Sequence, residues 1–137
     1  MKDHSYTPAQ VLIIKAAEDE QTLTMEDLPE AILGFHAQQA VEKLIKALLS
    51  QLGVPFELTH NLARLESLLD AAGESLPDTP IPLGELTDFS VFYRYDLLFQ
   101  FAVPDKQDVL NSVRLIREHV VARIAALSAT PEPPPLQ

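Results

Sequence analysis

Apolar residues recur along most of this chain at spacings of three and four, the period that predicts amphipathic α-helices. The longest such pattern ends at Leu52, and Gly53 follows it as a stop signal. Asp27 precedes the pattern, with Pro29 in the expected first turn and Glu30 three residues after Asp27, so we expect Asp27 to be the N-cap. The apolar stripe of this helix is wide, as in a bundle core, and comprises Leu28, Ile32, Phe35, Val41, Leu44, Ile45, Leu48, Leu49 and Leu52.

Four further helices are predicted around this long one. The first runs from Pro8 to about Gln21. The third is capped by Thr59 or Asn61 and closes at Gly73. The fourth covers about residues 85–98, after a proline-containing loop. Each prediction rests on the same helical period, bounded by residues that begin or end helices.

The last helix begins at Pro104 and Asp105, and its apolar residues again recur every three or four positions. Residues 130–137 are rich in proline, and we expect this tail to be disordered. No segment shows a convincing strand pattern. The sequence therefore predicts one all-α domain over residues 1–129, an antiparallel bundle of about five helices.

Composition and charge exclude several classes of protein. The 137 residues include no cysteine, which excludes a disulfide framework and thiol catalysis. A net charge of −10 argues against a protein that coats nucleic acid non-specifically, because such binding depends on lysine and arginine. Apolar runs are shorter than the roughly 18 residues of a membrane span, and no signal peptide is recognisable. We expect a cytoplasmic protein without membrane association.

The long helix also has a crowded polar face. Steps of three, four and three residues place four side chains in one stripe: His36, Gln39, Lys43 and Lys46. Gln38 and Glu42 form a neighbouring row, and Glu42 is placed to pair with Lys46. This face is either a binding wall for a phosphate or a base, or a solvated face of the kind common on bundle helices. The acidic run 18–20 on the first helix is interpreted as a solvated patch.

Three segments together resemble a known family. Residues 35–49, FHAQQAVEKLIKALL, are similar to the signature helix of the HEPN family, the higher-eukaryote and prokaryote nucleotide-binding domain. Residues 59–62, THNL, resemble the family's next motif, at the start of its third helix. Residues 93–96, YRYD, resemble a later Arg-Tyr-Pro element, with Asp96 in place of the proline. All three occur in the family's order.

The resemblance implies a small helical bundle that commonly dimerises. It also implies a gene context in which such domains accompany a minimal nucleotidyltransferase as a toxin–antitoxin-type pair. Many members are metal-independent RNA endonucleases, whereas others bind only nucleotides or partner proteins. In the catalytic branch an Arg is followed a few residues later by a His, which acts as general acid or base while the Arg stabilises charge.

The matching arginine here is Arg94, and the expected histidine is missing. Phe99, Gln100 and Phe101 stand where it would be, and none of them can transfer a proton at neutral pH. The sequence therefore favours a non-catalytic member.

The alternative is a metal-independent endoribonuclease, an RNA-cleaving toxin, that uses Arg114 and His119 across a dimer. These two residues have a suitable spacing within the last helix. Five residues along a helix rotate the side chain by roughly 140°, so the two diverge within one subunit.

We therefore predict a HEPN-like nucleotide-binding and protein-interaction module that forms a homodimer and pairs with a nucleotidyltransferase-type protein. Its ligand is expected to be a nucleotide or RNA, with no cofactor and no metal. His60 either packs at the start of the third helix or contacts the ligand. The predicted ligand contacts are Gln39, Lys43, His60, Arg94 and Asp96.

Overall fold

A computed structural model describes residues 5–94 and 104–129, apart from the side chains of residues 92–94. Within these ranges the chain forms five helices and no strand, which confirms the all-α prediction. The helices are α1 (Pro8–Leu23), α2 (Glu30–Leu52), α3 (Leu62–Ala71), α4 (Leu83–Arg94) and α5 (Lys106–Ser128). The predicted end of the fourth helix near residue 98 and the predicted tail at 130–137 lie outside the described residues.

Most helix ends follow from local side-chain chemistry. Thr7 caps α1 in a reciprocal capping box with Gln10. Asn61, one of the two predicted caps of α3, accepts a hydrogen bond from the Arg64 backbone N–H. Asp105 caps α5 in the same way. Gly53 ends α2 in the left-handed conformation, at φ 71°, as its position predicted.

The predicted N-cap of α2 is wrong. Asp27 adopts a positive φ of 57°, and α2 begins only at Glu30, with Pro29 as the cap residue. Pro29 disfavours the helical conformation for the residue before it, which explains why Leu28 does not join the helix. A proline side chain offers no acceptor, so α2 begins without a side-chain cap.

Helix α2 is the centre of the bundle, since it packs against each of the other four helices. Its apolar stripe is buried from Val41 to Leu49 and forms most of the core with residues of α3, α4 and α5. Two predicted core residues near its start, Ile32 and Phe35, are instead exposed. Between them Gly34 meets α4 closely, because a Cβ at this position would lie 3.1 Å from the Phe89 ring.

Two hydroxyl groups tie the connecting segments to the helices. The Thr87 hydroxyl in α4 accepts a hydrogen bond of 3.2 Å from the Leu62 N–H, the first residue of α3. The Ser112 hydroxyl in α5 accepts one of 3.1 Å from Ile81 N–H in the loop before α4. The start of α3 is thereby fixed beside α4.

None of the helices in the described ranges is long and apolar enough to cross a membrane.

Candidate functional site

The polar face of α2 divides into two clusters that face different neighbours. One, the Glu42 cluster, comprises Gln38, Gln39, Glu42, Lys46 and His60. The other, the Asp19 cluster, comprises Asp19, His36 and Lys43. The interpretation of this face as merely solvated is wrong, because Gln38 is only 3% and Glu42 only 4% exposed. The single stripe seen in the sequence is thus separated by tertiary packing.

The Glu42 carboxylate is the centre of its cluster and accepts hydrogen bonds from three side chains. Gln38 Nε2 lies 2.9 Å and His60 Nδ1 2.8 Å from Glu42 Oε1, and Lys46 Nζ lies 3.0 Å from Oε2. Gln38 Nε2 also donates to the His60 carbonyl oxygen at 2.7 Å. These bonds join the middle of α2 to the segment that enters α3.

Glu42 stays ionised in this environment. Its burial would raise the pKa, but the hydrogen bonds from Gln38, His60 and Lys46 outweigh that effect and hold the pKa of Glu42 below its ordinary value. An ionised carboxylate accepts the proton on His60 Nδ1, which leaves Nε2 as the free nitrogen of the ring. The His60 side chain is 79% exposed, so this nitrogen is accessible.

A cavity of about 350 Å³ lies beside the Glu42 cluster, where α2, the start of α3 and α4 meet. Gln39 and His60 contribute polar groups to it, and Phe35 and Val91 contribute apolar walls. Its full lining comprises Phe35, Gln38, Gln39, His60, Asn61, Thr87, Ser90 and Val91. Two of the five predicted ligand-contact residues therefore share one cavity.

The Asp19 cluster ties α1 to α2. Asp19 Oδ1 lies 2.8 Å from His36 Nδ1, and its second oxygen forms an ion pair with Lys43. Asp19 is buried, so the interpretation of the acidic run 18–20 as a solvated patch is wrong at this position. A buried carboxylate needs hydrogen-bonding or charged partners, and α2 supplies both His36 and Lys43. Glu20 in the same run pairs with Arg117 of α5 at 3.2 Å.

The remaining predicted contact residues lie apart from the cavity or outside the described side chains. Lys43 is held by Asp19 and is not among the cavity-lining residues. Arg94 is the last residue of α4, and its side chain is not described. Asp96 lies outside the described residues, so the roles of Arg94 and Asp96 stay predictions.

Sequence reasoning missed the contribution of α4 to the cavity. Thr87, Ser90 and Val91 follow a spacing of three and four along the chain, which places them on one face of a helix. That spacing is a usable signal, but it does not show which helix they face. Asn61 was predicted as a cap and does cap α3, and it also lines the cavity.

Arg114 and His119, the residues of the alternative catalytic hypothesis, have different neighbours on α5. Arg114 is exposed and pairs with Glu118 at 3.2 Å. His119 lies near Glu74, whose pKa is held below its ordinary value chiefly by hydrogen bonds from Arg123, with a smaller contribution from His119. Within the described part of the chain His119 Nε2 is buried without a hydrogen-bond partner. The two side chains do not form one site within this subunit, as the roughly 140° rotation between them predicts.

In residues 5–94 and 104–129 no group of three or more His, Asp or Glu side chains is placed to hold a metal ion.

The family model described as HEPN domain matches residues 14–124, which is most of the chain. Searches of curated proteins and of solved structures give no significant match. The match confirms the resemblance seen in residues 35–49, 59–62 and 93–96.

Proposed function

We propose that this chain, which belongs to the HEPN domain family, is a non-catalytic nucleotide-binding and protein-interaction domain. Membership of this family supports a function in nucleotide binding or RNA cleavage. One observation carries the proposal: Gln39 of α2 and His60 at the start of α3 share one cavity between apolar walls. Ligand pockets are typically concave and largely apolar, with a few converging polar groups. In this proposal Gln39 and His60 contact the ligand.

The chemistry of the cavity favours binding over cleavage. RNA cleavage without a metal requires proton transfer at two oxygens and stabilisation of the negative charge on the non-bridging phosphate oxygens. Among the eight described lining residues, His60 alone can transfer a proton near neutral pH, and none is a lysine or an arginine. The sequence also has no histidine shortly after Arg94.

We propose in addition that the domain forms a homodimer and pairs with a nucleotidyltransferase-type protein. HEPN domains commonly dimerise. Large apolar side chains are exposed on the outer surface of the bundle, including Val11 and Ile14 of α1 and Val121 of α5, and such surface suits protein contacts. The partner is inferred from the family resemblance alone.

The other ligand contacts stay predictions: Lys43, Arg94 and Asp96. Lys43 would have to leave Asp19 before it could contact a ligand.

A thermal-shift panel of nucleotides tests the binding proposal. A nucleotide at about 100 times its dissociation constant should stabilise the protein by about 2.7 kcal/mol. The Gln39→Ala variant should lose about half of this stabilisation, because it removes a cavity-lining amide and weakens binding by about tenfold. Gln107→Ala, at an exposed position of α5, is the matched control and should behave like the wild type. The absence of a shift with every nucleotide would overturn the binding proposal.

An RNA-cleavage assay in EDTA tests the non-catalytic assignment. We expect no cleavage by the purified protein. Cleavage that is lost in both Arg114→Ala and His119→Ala would support the endoribonuclease alternative instead.

Sedimentation velocity of the same sample tests the homodimer proposal and should give the mass of a dimer. A monomer at all concentrations would contradict the proposal.

A further inference from the structure

The described lining of the cavity beside the Glu42 cluster offers few groups that bind phosphate. Its described lining contains no lysine or arginine, and the nearby Lys46 is already paired with Glu42. The chain as a whole has a charge of −10, which repels polyphosphates at long range. Phosphate sites in proteins instead gather cations or free backbone N–H groups.

The N-terminus of α3 supplies little of the missing positive potential. Helix N-termini bind anions through backbone N–H groups that have no partner within the helix. Here the Leu62 N–H donates to the Thr87 hydroxyl, and the Arg64 N–H donates to Asn61 Oδ1. Two of the donors that would face an anion are therefore already satisfied.

The apolar part of the cavity lining suits a flat ring. Phe35 from α2 and Val91 from α4 both line it, and both side chains are exposed. An aromatic face and a branched aliphatic side chain are the surfaces on which a flipped or single nucleobase stacks. The volume of about 350 Å³ lies at the low end of the range for small-ligand sites, roughly 300–1,000 Å³.

The polar groups left free in the cavity are those that recognise the edge of a base. Gln39 Nε2 donates to Gln38 Oε1, so Gln39 Oε1 has no partner among the described residues. His60 Nδ1 is engaged by Glu42, which leaves Nε2 as an acceptor in the neutral ring. Asn61 accepts through Oδ1, and its amide N–H groups have no partner within the described ranges. Amide side chains of this kind pair with the mixed donors and acceptors of base edges.

We infer that this cavity binds the uncharged base of a nucleoside or nucleotide and leaves the phosphates outside. The inference rests on the proposed nucleotide-binding function and names the part of the ligand that this site recognises. Phe35 and Val91 enclose the ring, and Gln39, Asn61 and His60 bind its edge. Glu42 is a positioning residue, because it holds the His60 ring through Nδ1 and does not itself contact the ligand.

Isothermal titration calorimetry on the full chain tests the inference with three sets of probes. These are the four common ribonucleosides, their 5′-triphosphates, and tripolyphosphate without a base. At least one nucleoside should bind with a dissociation constant within about tenfold of that of its triphosphate. Nucleoside affinity should be nearly constant between about 50 mM and about 300 mM salt, since no phosphate is neutralised. Tripolyphosphate should not displace the nucleoside.

Variants assign the binding to this cavity. Gln39→Ala and Phe35→Ala should each weaken nucleoside binding by about tenfold, through loss of an edge contact and of the stacking wall. Gln107→Ala should leave the dissociation constant unchanged, and thermal unfolding of each variant checks that it is folded. Nucleoside binding that is indifferent to both cavity variants would overturn the inference.

The two proposals fail in different ways. If a triphosphate binds while no nucleoside does, or if tripolyphosphate displaces the nucleotide, the base-binding inference is overturned and the nucleotide-binding function stands. If neither nucleosides nor nucleotides bind, both are overturned.

Discussion

The Asp19 cluster and the Glu42 cluster contain the same kinds of group, a buried carboxylate with a lysine and a histidine, but they differ in what the histidine does. At Asp19 the His36 side chain is 26% exposed, and both partners of the carboxylate, His36 and Lys43, come from one helix, α2. At Glu42 the His60 side chain is 79% exposed and extends from the segment before α3. A third donor, the Gln38 amide, adds to His60 and Lys46 at the Glu42 carboxylate.

The difference shows that burial of the histidine, rather than its pairing with a carboxylate, separates a structural contact from a candidate binding group. The Asp19 cluster joins two long helices along their contact. The Glu42 cluster uses its carboxylate to orient a histidine that still faces a cavity. A histidine oriented in this way keeps one ring nitrogen for a ligand.

Removal of each carboxylate should give the largest effect and should separate the clusters by stability. Glu42→Ala should lower the free energy of unfolding by about 3 kcal/mol, because it leaves a largely buried lysine and a buried amide without their acceptor. Asp19→Ala should cost less, about 1–2 kcal/mol, because its partners are about a quarter exposed and regain water. Urea denaturation measures both values. An Asp19→Ala effect larger than that of Glu42→Ala would reverse the comparison.

Replacement of each histidine should separate the clusters by function. His36→Ala should lower the free energy of unfolding by about 1 kcal/mol through loss of a hydrogen bond to a charged group. His60→Ala should change it by less than about 0.5 kcal/mol, because the side chain is mostly in solvent. Nucleoside affinity should fall in His60→Ala and stay near the wild-type value in His36→Ala. Calorimetry and urea denaturation of the same samples measure the two effects. An equal loss of nucleoside affinity in both variants would contradict the assignment of His60 as a ligand contact and of His36 as a structural group.

Acid titration should give the smallest and most specific effect. Because the folded state lowers the pKa of Glu42, this group stabilises the protein above its ordinary pKa of 4.5, and the stabilisation is lost as pH falls through the lower folded value. The stability difference between wild type and Glu42→Gln should therefore shrink as the pH falls below 4.5. The same comparison made in the Asp19→Ala background should show the same pH dependence, because Glu42 is the group that is compared. A difference that is constant from pH 7 to about pH 3 would exclude the proposed hydrogen-bonded carboxylate.

Local rules predicted most of the bundle. The period of apolar residues located all five helices, and single residues with a strong conformational preference, such as Asn61, Asp105 and Gly53, marked ends that the structure confirms. The rule failed at Asp27, where the conformational restriction before Pro29 outweighed a favourable cap residue. It also failed at Ile32 and Phe35, where the period was right but none of the five described helices covers the side chains.

The candidate site was less predictable because its residues are distant in sequence. Spacing along α2 placed Gln39 and Lys43 in one stripe, yet α1 brings Asp19 to Lys43 while the entry to α3 brings His60 to Glu42. The Glu42–Lys46 pair was predicted, because both partners lie one turn apart on the same helix. The partners that come from α1, α3 and α4 could not be derived from that spacing.

By itself the sequence determined the helices, the HEPN signature and the absence of a histidine soon after Arg94, because each depends on residues close together in the chain. Only the tertiary structure decided that one polar face serves two clusters and that Gln39 and His60 share a cavity. The physical reason is that a buried polar group needs a partner, and which partner it finds depends on how separate helices pack.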